Sequence, residues 1–281
     1  MPIARFTTKL TDDRQSWDIK WKAEEDTRAD HAKCNAHDES ISLVDRFIGE
    51  RGGTAAVVLD IGCGNGRHFF RYKQAIGGCY VGLYFSMRGL ERIRQLDAEA
   101  DVLSSDATCL PFADGTVDLI LMSGVIYEIE DVSKHRVVFQ EIERVLKQGG
   151  EAVFLNNSNL HLLDRLYARV PIYHRLLRKL AGKPPVDPRD LRFWFYRVGD
   201  REIKRHAHRA RLRVDGPIYC NVRSGLGRTW DMLLVTEDSY ENDIRLKCNP
   251  LVQIAGRFLL GVGILYPNLS ARTAVYFLRK G

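Results

Sequence analysis

Leu59-Asp60-Ile61-Gly62-Cys63-Gly64-Asn65-Gly66 is the stretch of sequence that decides the fold of this protein. The aliphatic run at residues 56–61 is too short for a helix and is closed by glycines, which is typical of a buried strand. Glycines lack Cβ atoms, so the backbone after this strand is able to turn sharply and let a ligand approach closely. The pattern predicts a strand followed by a cofactor-binding loop, with a tight turn that binds nothing as the alternative.

The spacing of the glycines argues against NAD or FAD. The dinucleotide fingerprint has its third glycine three residues after the second. Here Arg67 occupies that place, and the glycine lies one residue earlier, at Gly66. A different nucleotide-like cofactor is therefore expected.

Strand and helix patterns alternate along the chain. After a helix at 39–51, strands are predicted at 56–61, 79–84, 101–104, 118–123 and 151–156, with helices at 88–96 and 134–147. Lys147-Gln148-Gly149-Gly150 has the composition that ends a helix. Further strands are predicted at 211–220, 231–236 and 273–278. This alternation indicates an α/β fold with a parallel sheet covered on both faces.

Four blocks in order resemble the class I S-adenosylmethionine (SAM)-dependent methyltransferases. They are the glycine stretch at 59–66, Asp106-Ala107 with Leu110-Pro111-Phe112, the segment Thr116-Val117-Asp118-Leu119, and Glu143-Arg144-Val145-Leu146-Lys147-Gln148-Gly149-Gly150. The resemblance covers residues 57–150 and is strongest to enzymes that act on small molecules, quinones, lipids and wobble-uridine tRNA. It implies a Rossmann-like, mostly parallel seven-stranded sheet with helices on both faces.

The resemblance also implies SAM as cofactor, S-adenosylhomocysteine as product, and a set of binding residues. The glycines would line the methionine moiety, Asp60 would support the loop and reach toward the cofactor's amino group, and Asp106 would accept a hydrogen bond from the adenine amine. A plain turn residue is the alternative for Asp106. The full predicted set is Asp60, Gly62, Cys63, Gly64, Gly66, Tyr84, Asp106, Ala107 and Ser123.

Tyr84 departs from the family pattern. The family's G-x-D-x-S segment stands here as Gly82-Leu83-Tyr84-Phe85-Ser86, so a tyrosine replaces the acid that binds both ribose hydroxyls. Loss of a charged hydrogen bond costs roughly 1.5–3 kcal/mol, which is about ten- to a hundredfold in affinity. We expect weakened cofactor binding, or a fold that has lost catalysis.

Catalytic side chains are not required by the reaction, because methyl transfer depends mainly on holding acceptor and methyl in line. An oxygen or nitrogen acceptor would need a general base near the fourth strand. Tyr127 is one candidate, with a half-buried wall residue as the alternative. His135 is the other, with a surface or helix-capping role as the alternative.

Charge and composition divide the chain further. Residues 161–213 carry fifteen Lys and Arg against five Asp and Glu, a local excess larger than the net +6 of the whole chain. We predict a helical N-terminal preface or lid at 1–55, containing Trp17, Trp21, His31 and His37, and a SAM-binding core at 56–157. A basic helical insertion holding the acceptor site follows at 158–210, and C-terminal strands with an apolar helical insertion complete the sheet at 211–281.

The favoured function is methylation of a small-molecule or lipid-like acceptor. The alternatives are an RNA (tRNA) methyltransferase that uses the basic segment against phosphate, and a non-catalytic binding protein with this fold. Amphipathic patterns at 162–180 and 251–267 add peripheral attachment to a membrane as a further hypothesis. Neither a signal peptide nor a spanning segment is recognisable, so a cytoplasmic protein is expected, and the six cysteines lack metal-ligand spacing, so no metal is expected. The oligomeric state is not indicated.

Overall fold

A computed structural model describes residues 39–129, 131–157, 198–221 and 273–281. The chain divides into two compact units, one made of Met1–Lys9, Ser158–Trp194 and Tyr219–Ala274 and the other of Leu10–Asn157, Phe195–Ile218 and Val275–Gly281. Nearly all the described residues belong to the second unit. The predicted strand at 231–236, the predicted basic insertion up to residue 197, and Trp17, Trp21, His31 and His37 lie outside the described residues.

The described elements alternate as predicted. The helices are α1 (Glu39–Arg51), α2 (Arg67–Tyr72), α3 (Met87–Leu96), α4 (Val132–Val145) and α5 (Asp200–Arg209). The strands are β1 (Val57–Ile61), β2 (Cys79–Tyr84), β3 (Val102–Ser104), β4 (Val117–Ser123), β5 (Leu146–Asn157), β6 (Leu212–Cys220) and β7 (Thr273–Lys280).

The strands form one seven-stranded sheet with the order β3-β2-β1-β4-β5-β7-β6. The pairs β3–β2, β2–β1, β1–β4 and β4–β5 are parallel. The predicted Rossmann-like α/β fold is therefore confirmed. Strand order reverses between β1 and β4, and the carboxyl ends of strands at such a switch point form the crevice where α/β proteins bind ligands.

Burial explains the apolar runs at residues 57–59 of β1, 119–122 of β4 and 152–155 of β5. Val58, Leu59, Ile120, Leu121 and Val153 are fully buried, because helices cover both faces of a parallel sheet. This central part of the sheet is a rigid base for the loops that leave its carboxyl edge.

Helix α1 is part of the core. Its buried face contains Val44, Phe47 and Ile48, and the Phe47 ring lies 5.7 Å from that of Phe277 on β7. Asp45 accepts two 2.7 Å hydrogen bonds from Arg71 at the end of α2. Residues 39–51 of the predicted preface thus pack against the sheet and its neighbouring helix.

One predicted boundary is wrong. Helix α4 ends at Val145, and Lys147-Gln148-Gly149-Gly150 belongs to β5, where the register to β4 shifts. Lys147 donates a 2.7 Å hydrogen bond to Asp118 on β4, and Gly149 has a φ of +76°. The glycines therefore form an irregularity, or β-bulge, in the strand. Such a bulge needs a residue with positive φ, as the end of a helix does.

Among the described helices, none is long and apolar enough to cross a membrane.

Candidate cofactor site at the switch point of the sheet

The glycine loop turns back over the end of β2. The N–H groups of Gly62 and Cys63 both donate to the Leu83 carbonyl, at 2.8 and 3.1 Å, and the Gly66 N–H donates to the Cys63 carbonyl at 2.9 Å. Gly62, Gly64 and Gly66 all have positive φ, at +81°, +58° and +94°. Other residues rarely adopt this conformation, so the loop depends on glycine at each of the three positions.

Gly62 also meets the loop that follows β4. A Cβ at Gly62 would lie 2.3 Å from Cγ2 of Val125, well inside van der Waals contact. The loops after β1 and β4 are therefore packed directly together at the switch point. This contact brings Gly62 close to the segment that contains Ser123 and Tyr127.

Asp60 lies beneath the glycine loop and is completely buried. Its Oδ2 accepts a 3.1 Å hydrogen bond from the Tyr80 hydroxyl, while Oδ1 has no hydrogen-bond partner among the described residues. Burial raises the pKa of Asp60 to about 7, although the Tyr80 hydrogen bond and the nearby Arg67 charge oppose that rise. The pKa of the Asp60 carboxyl group therefore lies near neutral pH. Its Oδ1 remains able to accept a hydrogen bond.

Tyr84 ends β2 and is buried, with an exposed fraction of 7%. A Cβ at Gly89, in the first turn of α3, would lie 3.0 Å from Cδ1 of the Tyr84 ring and 2.8 Å from the Gly64 carbonyl oxygen. The Phe85 ring meets that of Tyr84 edge-on, with centroids 5.1 Å apart. The aromatic ring therefore packs beside the glycine loop, where the family pattern has a carboxylate.

Asp106 forms an exposed turn after β3. Its Oδ1 accepts hydrogen bonds from the Thr108 N–H and hydroxyl, at 2.8 and 2.7 Å, and the Cys109 N–H donates to the Asp106 carbonyl at 3.0 Å. Ala107 beside it is 9% exposed. The turn role thus accounts for one carboxylate oxygen, and adenine recognition by Asp106 stays a prediction.

Arg144 of α4 holds the loop that carries this turn. It donates to the Leu110 and Phe112 carbonyls at 3.0 and 2.8 Å, while Glu141 accepts from the Leu110 N–H at 2.7 Å. Two of the blocks that resemble the family are therefore in direct contact, although more than 30 residues separate them.

Tyr127 lies on a short 3-10 helix, Ile126–Glu128, directly after β4. It is half-buried, and a Cβ at Gly124 would lie 2.7 Å from its hydroxyl oxygen. The hydroxyl therefore folds back over the start of its own loop. Ser123, also half-buried, is the last residue of β4.

The structure contradicts the alternative role predicted for His135, that of a surface or helix-capping residue. It is fully buried, and Asp131 caps α4 by accepting a 2.9 Å hydrogen bond from the Ser133 N–H. The His135 Nε2 lies 2.8 Å from the Ile129 carbonyl oxygen. Burial follows from its position on the face of α4 that packs against α5, a contact that the sequence did not reveal.

The structure also brings together three side chains whose proximity the sequence did not reveal. Ligand atoms of His135, Glu202 and His206 lie within 4.8 Å of one another. Burial lowers the pKa of His206, and the neighbouring Glu202 charge opposes that effect. The i, i+4 spacing of Glu202 and His206 was the available signal, but nothing in the sequence connects α5 to His135.

The site fits a SAM-like cofactor on its own geometry. The backbone at Gly62, Gly64 and Gly66 carries no side chains, so a ligand is able to approach it closely, and the unused oxygen of Asp60 is an acceptor beside it. Both features lie at the carboxyl edge of β1, where α/β sheets bind ligands.

Several known proteins with similar sequences are methyltransferases. Residues 59–154 match a family model described as a methyltransferase domain. A protein of Encephalitozoon cuniculi (strain GB-M1) named as a methyltransferase is 32% identical over 106 residues, which are 38% of this chain and 47% of the relative. The demethylmenaquinone methyltransferase of Staphylococcus aureus (strain JH9) is 30% identical over 192 residues, which are 64% of this chain and 74% of the relative.

Solved structures share the fold at lower identity. A SAM-dependent methyltransferase from Archaeoglobus fulgidus has a TM-score of 0.53 at 14% identity, over 93% of this chain and 99% of that one. A Haloferax volcanii methyltransferase, solved with a methyltransferase activator, has a TM-score of 0.55 at 16% identity, over 97% of both chains. The sheet order, the glycine loop and the sequence relatives agree, and the chain belongs to the class I SAM-dependent methyltransferases.

Proposed function

We propose that this protein transfers the methyl group of SAM to a small-molecule or lipid-like acceptor at the carboxyl edge of β1 and β4. The observation that carries the proposal is the contact between Gly62 and Val125, which joins the predicted cofactor loop to the loop after β4. A cofactor above the first loop and an acceptor beside the second would then be neighbours. Neighbouring placement is the main requirement of an in-line transfer.

The proposed cofactor residues act mainly through backbone and shape. Gly62, Cys63, Gly64 and Gly66 would admit the methionine end of SAM, and Asp60 would offer its unused oxygen toward the cofactor's amino group. Tyr84 would flank the ribose, Asp106 and Ala107 the adenine, and Ser123 the methyl group. When bound, SAM supplies a methyl group on a sulfonium, and its sulfur leaves as a neutral thioether.

Tyr127 is the proposed general base for an oxygen or nitrogen acceptor. It lies on the 3-10 helix that follows β4 and is half-buried, so it is close to the carboxyl edge where we propose that the acceptor binds. His135 is a weaker candidate for contact with an acceptor, because its ring is fully buried between α4 and α5.

The S. aureus relative supports an apolar, quinone-like acceptor, since its name gives demethylmenaquinone as the molecule it methylates. The predicted acceptor segment, residues 158–210, is basic, and its amphipathic part lies outside the described residues. An apolar ring with a polar substituent fits such a segment better than a fully hydrophilic substrate does.

The test is a transfer assay with SAM labelled in the methyl group. Separate reactions receive quinone, lipid, small-molecule and RNA fractions, with Gly64→Val as the matched inactive control. We expect label in an organic-extractable quinone or lipid fraction and none with the variant. Label in RNA would overturn the proposed acceptor in favour of the RNA alternative, and no transfer to any fraction would overturn the proposal as a whole.

A further inference from the structure

Helices α4 and α5 bring together three side chains of the kinds that bind metal ions. His135 lies near the start of α4, whereas Glu202 and His206 lie one helical turn apart on α5. Residues at i and i+4 share a face of a helix, so both α5 side chains point in the same general direction. Their ligand atoms and that of His135 all lie within 4.8 Å of one another.

His206 is the least satisfied member of this group. It is 7% exposed, and neither ring nitrogen has a hydrogen-bond partner among the described residues. The nearest carboxylate oxygen, Oε1 of Glu202, lies 3.7 Å from Nε2, beyond hydrogen-bond distance. Leaving a buried polar group without a partner lowers stability, so this arrangement requires a physical reason.

Apolar packing explains the position of the ring but not its nitrogens. The Phe139 ring stacks on that of His206, with centroids 6.1 Å apart and an interplanar angle of 16°. The His135 ring meets His206 edge-on at 6.4 Å. A leucine or phenylalanine would make the same kind of contact without burying two ring nitrogens.

His135 is oriented in the manner of a metal ligand. A carbonyl oxygen only accepts hydrogen bonds, so the Nε2 that lies 2.8 Å from the Ile129 oxygen must carry the proton. In a neutral ring the electron pair then belongs to Nδ1. Histidines that bind metals generally donate their other ring N–H to a carbonyl or carboxylate in this way, which fixes the ring and its tautomer.

We propose that His135, Glu202 and His206 form a binding site for a divalent transition metal, with Zn²⁺ as the best match. Two imidazoles and one carboxylate are a common three-ligand set for Zn²⁺, with bonds of roughly 2.0–2.2 Å and a fourth position for water. Those bonds would draw the three donors roughly 1 Å closer together through small side-chain rotations. The ion would join α4 to α5 and hold Ile129, the residue that follows the loop containing Tyr127.

Metal titration of the purified protein tests this site without any need for activity. After removal of bound metal with EDTA, Co²⁺ is added and followed by its visible spectrum, and Zn²⁺ is then used to displace it. We expect one Co²⁺ per chain with a tetrahedral spectrum, displacement by Zn²⁺, and a higher unfolding temperature with Zn²⁺ present.

Three variants locate the site. Glu202→Gln and His206→Gln each remove one ligand, and His208→Gln is the control because His208 is exposed on the same helix. We expect each ligand variant to weaken Zn²⁺ binding by more than the roughly 10- to 100-fold that follows loss of a ligand's outer hydrogen-bond partner. The control should bind as the parent protein does.

Two results would overturn the proposal. One is the absence of Zn²⁺ binding to the parent protein at micromolar metal, and the other is unchanged binding in Glu202→Gln. If His206→Gln fails to fold, judged by circular dichroism, the half-buried Glu202 position still decides the question.

Discussion

Gly62 has to satisfy two constraints at the same time. Its φ of +81° is unfavourable for any residue with a Cβ, and the space that a Cβ would occupy is filled by Val125. Gly115 has a similar φ of +65°, but a Cβ added there would have no atom within 4 Å. Comparing substitutions at Gly62 and Gly115 therefore distinguishes the effect of backbone strain from the effect of the contact between the loops after β1 and β4.

Gly62→Ala is expected to abolish or strongly weaken SAM binding, and Gly115→Ala is expected to leave it within about twofold. Both variants should lose roughly 1–2 kcal/mol of unfolding free energy through backbone strain. Gly62→Ala should lose about 1–3 kcal/mol more, because the loops after β1 and β4 must separate to make room for the new Cβ. Calorimetric titration with S-adenosylhomocysteine and urea unfolding measure the two effects. Equal affinity in the two variants would contradict a cofactor role for this loop.

Asp60 makes stability depend on pH. Its pKa is raised from 3.8 to about 7 in the folded protein, mainly by burial. Between these values the folded chain holds a proton that the unfolded chain has released, so the unfolding free energy falls as pH rises. The full difference is of order 4 kcal/mol, at 1.36 kcal/mol per pH unit of pKa shift.

Asp60→Asn is expected to remove this dependence, because the amide does not ionise. Urea unfolding of both proteins between pH 4.5 and 8 should show the parent losing stability relative to the variant as pH rises, with the loss levelling off above pH 7. A stability difference between parent and variant that stays constant over this range would show that Asp60 is already ionised in the fold.

Tyr84→Asp is expected to act in opposite directions on stability and on binding. Removing a buried ring should lower the unfolding free energy by about 3 kcal/mol. Restoring a carboxylate at the end of β2 should tighten S-adenosylhomocysteine binding about tenfold, because it can accept from both ribose hydroxyls. Tyr84→Phe, which keeps the ring, isolates the hydroxyl. A folded Tyr84→Asp protein that no longer binds would mean that the tyrosine itself makes a required contact.

At the scale of elements, Arg144 connects α4 to the loop between β3 and β4. Besides the Leu110 and Phe112 carbonyls, it contacts Glu141 and Asp114 at 2.7 Å each. A planar guanidinium can serve these acceptors simultaneously, whereas a lysine ammonium cannot match the same geometry. Arg144, together with Glu141, therefore anchors the loop that presents Asp106 to α4.

Arg144→Lys is expected to lower the unfolding free energy by roughly 1–3 kcal/mol and to weaken cofactor binding by loosening the Asp106 turn. Arg136→Lys is the matched control, since Arg136 is exposed on the same helix. Thermal unfolding and calorimetric titration measure both effects. Unchanged cofactor affinity in a destabilised Arg144→Lys protein would separate this loop from the site.

For the whole molecule, the uneven charge predicts attraction to anionic surfaces. The exposed Arg201, Arg205 and Arg209 on α5 belong to the basic segment, most of which lies outside the described residues. Basic residues near an anionic leaflet contribute about 1 kcal/mol each, and salt screens them. We expect the protein to float with anionic but not neutral liposomes at low salt, and to be released at high salt. If the protein does not float with anionic vesicles, the membrane hypothesis is excluded and a water-soluble acceptor is favoured.

The sequence by itself determined the α/β fold, most of the described strands and helices, and the family. Short apolar strands, helical periodicity and the glycine stretch are patterns among residues that are close together in the chain. The sequence alone is therefore enough to recognise them. Strands were predicted at 79–84 and 118–123 and observed at Cys79–Tyr84 and Val117–Ser123. The end of α4 was mispredicted because a glycine that ends a helix and a glycine that bends a strand look alike in sequence.

Only the tertiary structure decided which distant residues meet. The contact of Gly62 with Val125 and the anchoring of Leu110 by Arg144 join separate elements, and the unused oxygen of Asp60 follows from its complete burial. The group of His135, Glu202 and His206 depends on the packing of α4 against α5. Burial and proximity across the sheet arise from how helices are placed on it, and neither the spacing nor the composition of a single segment contains that information.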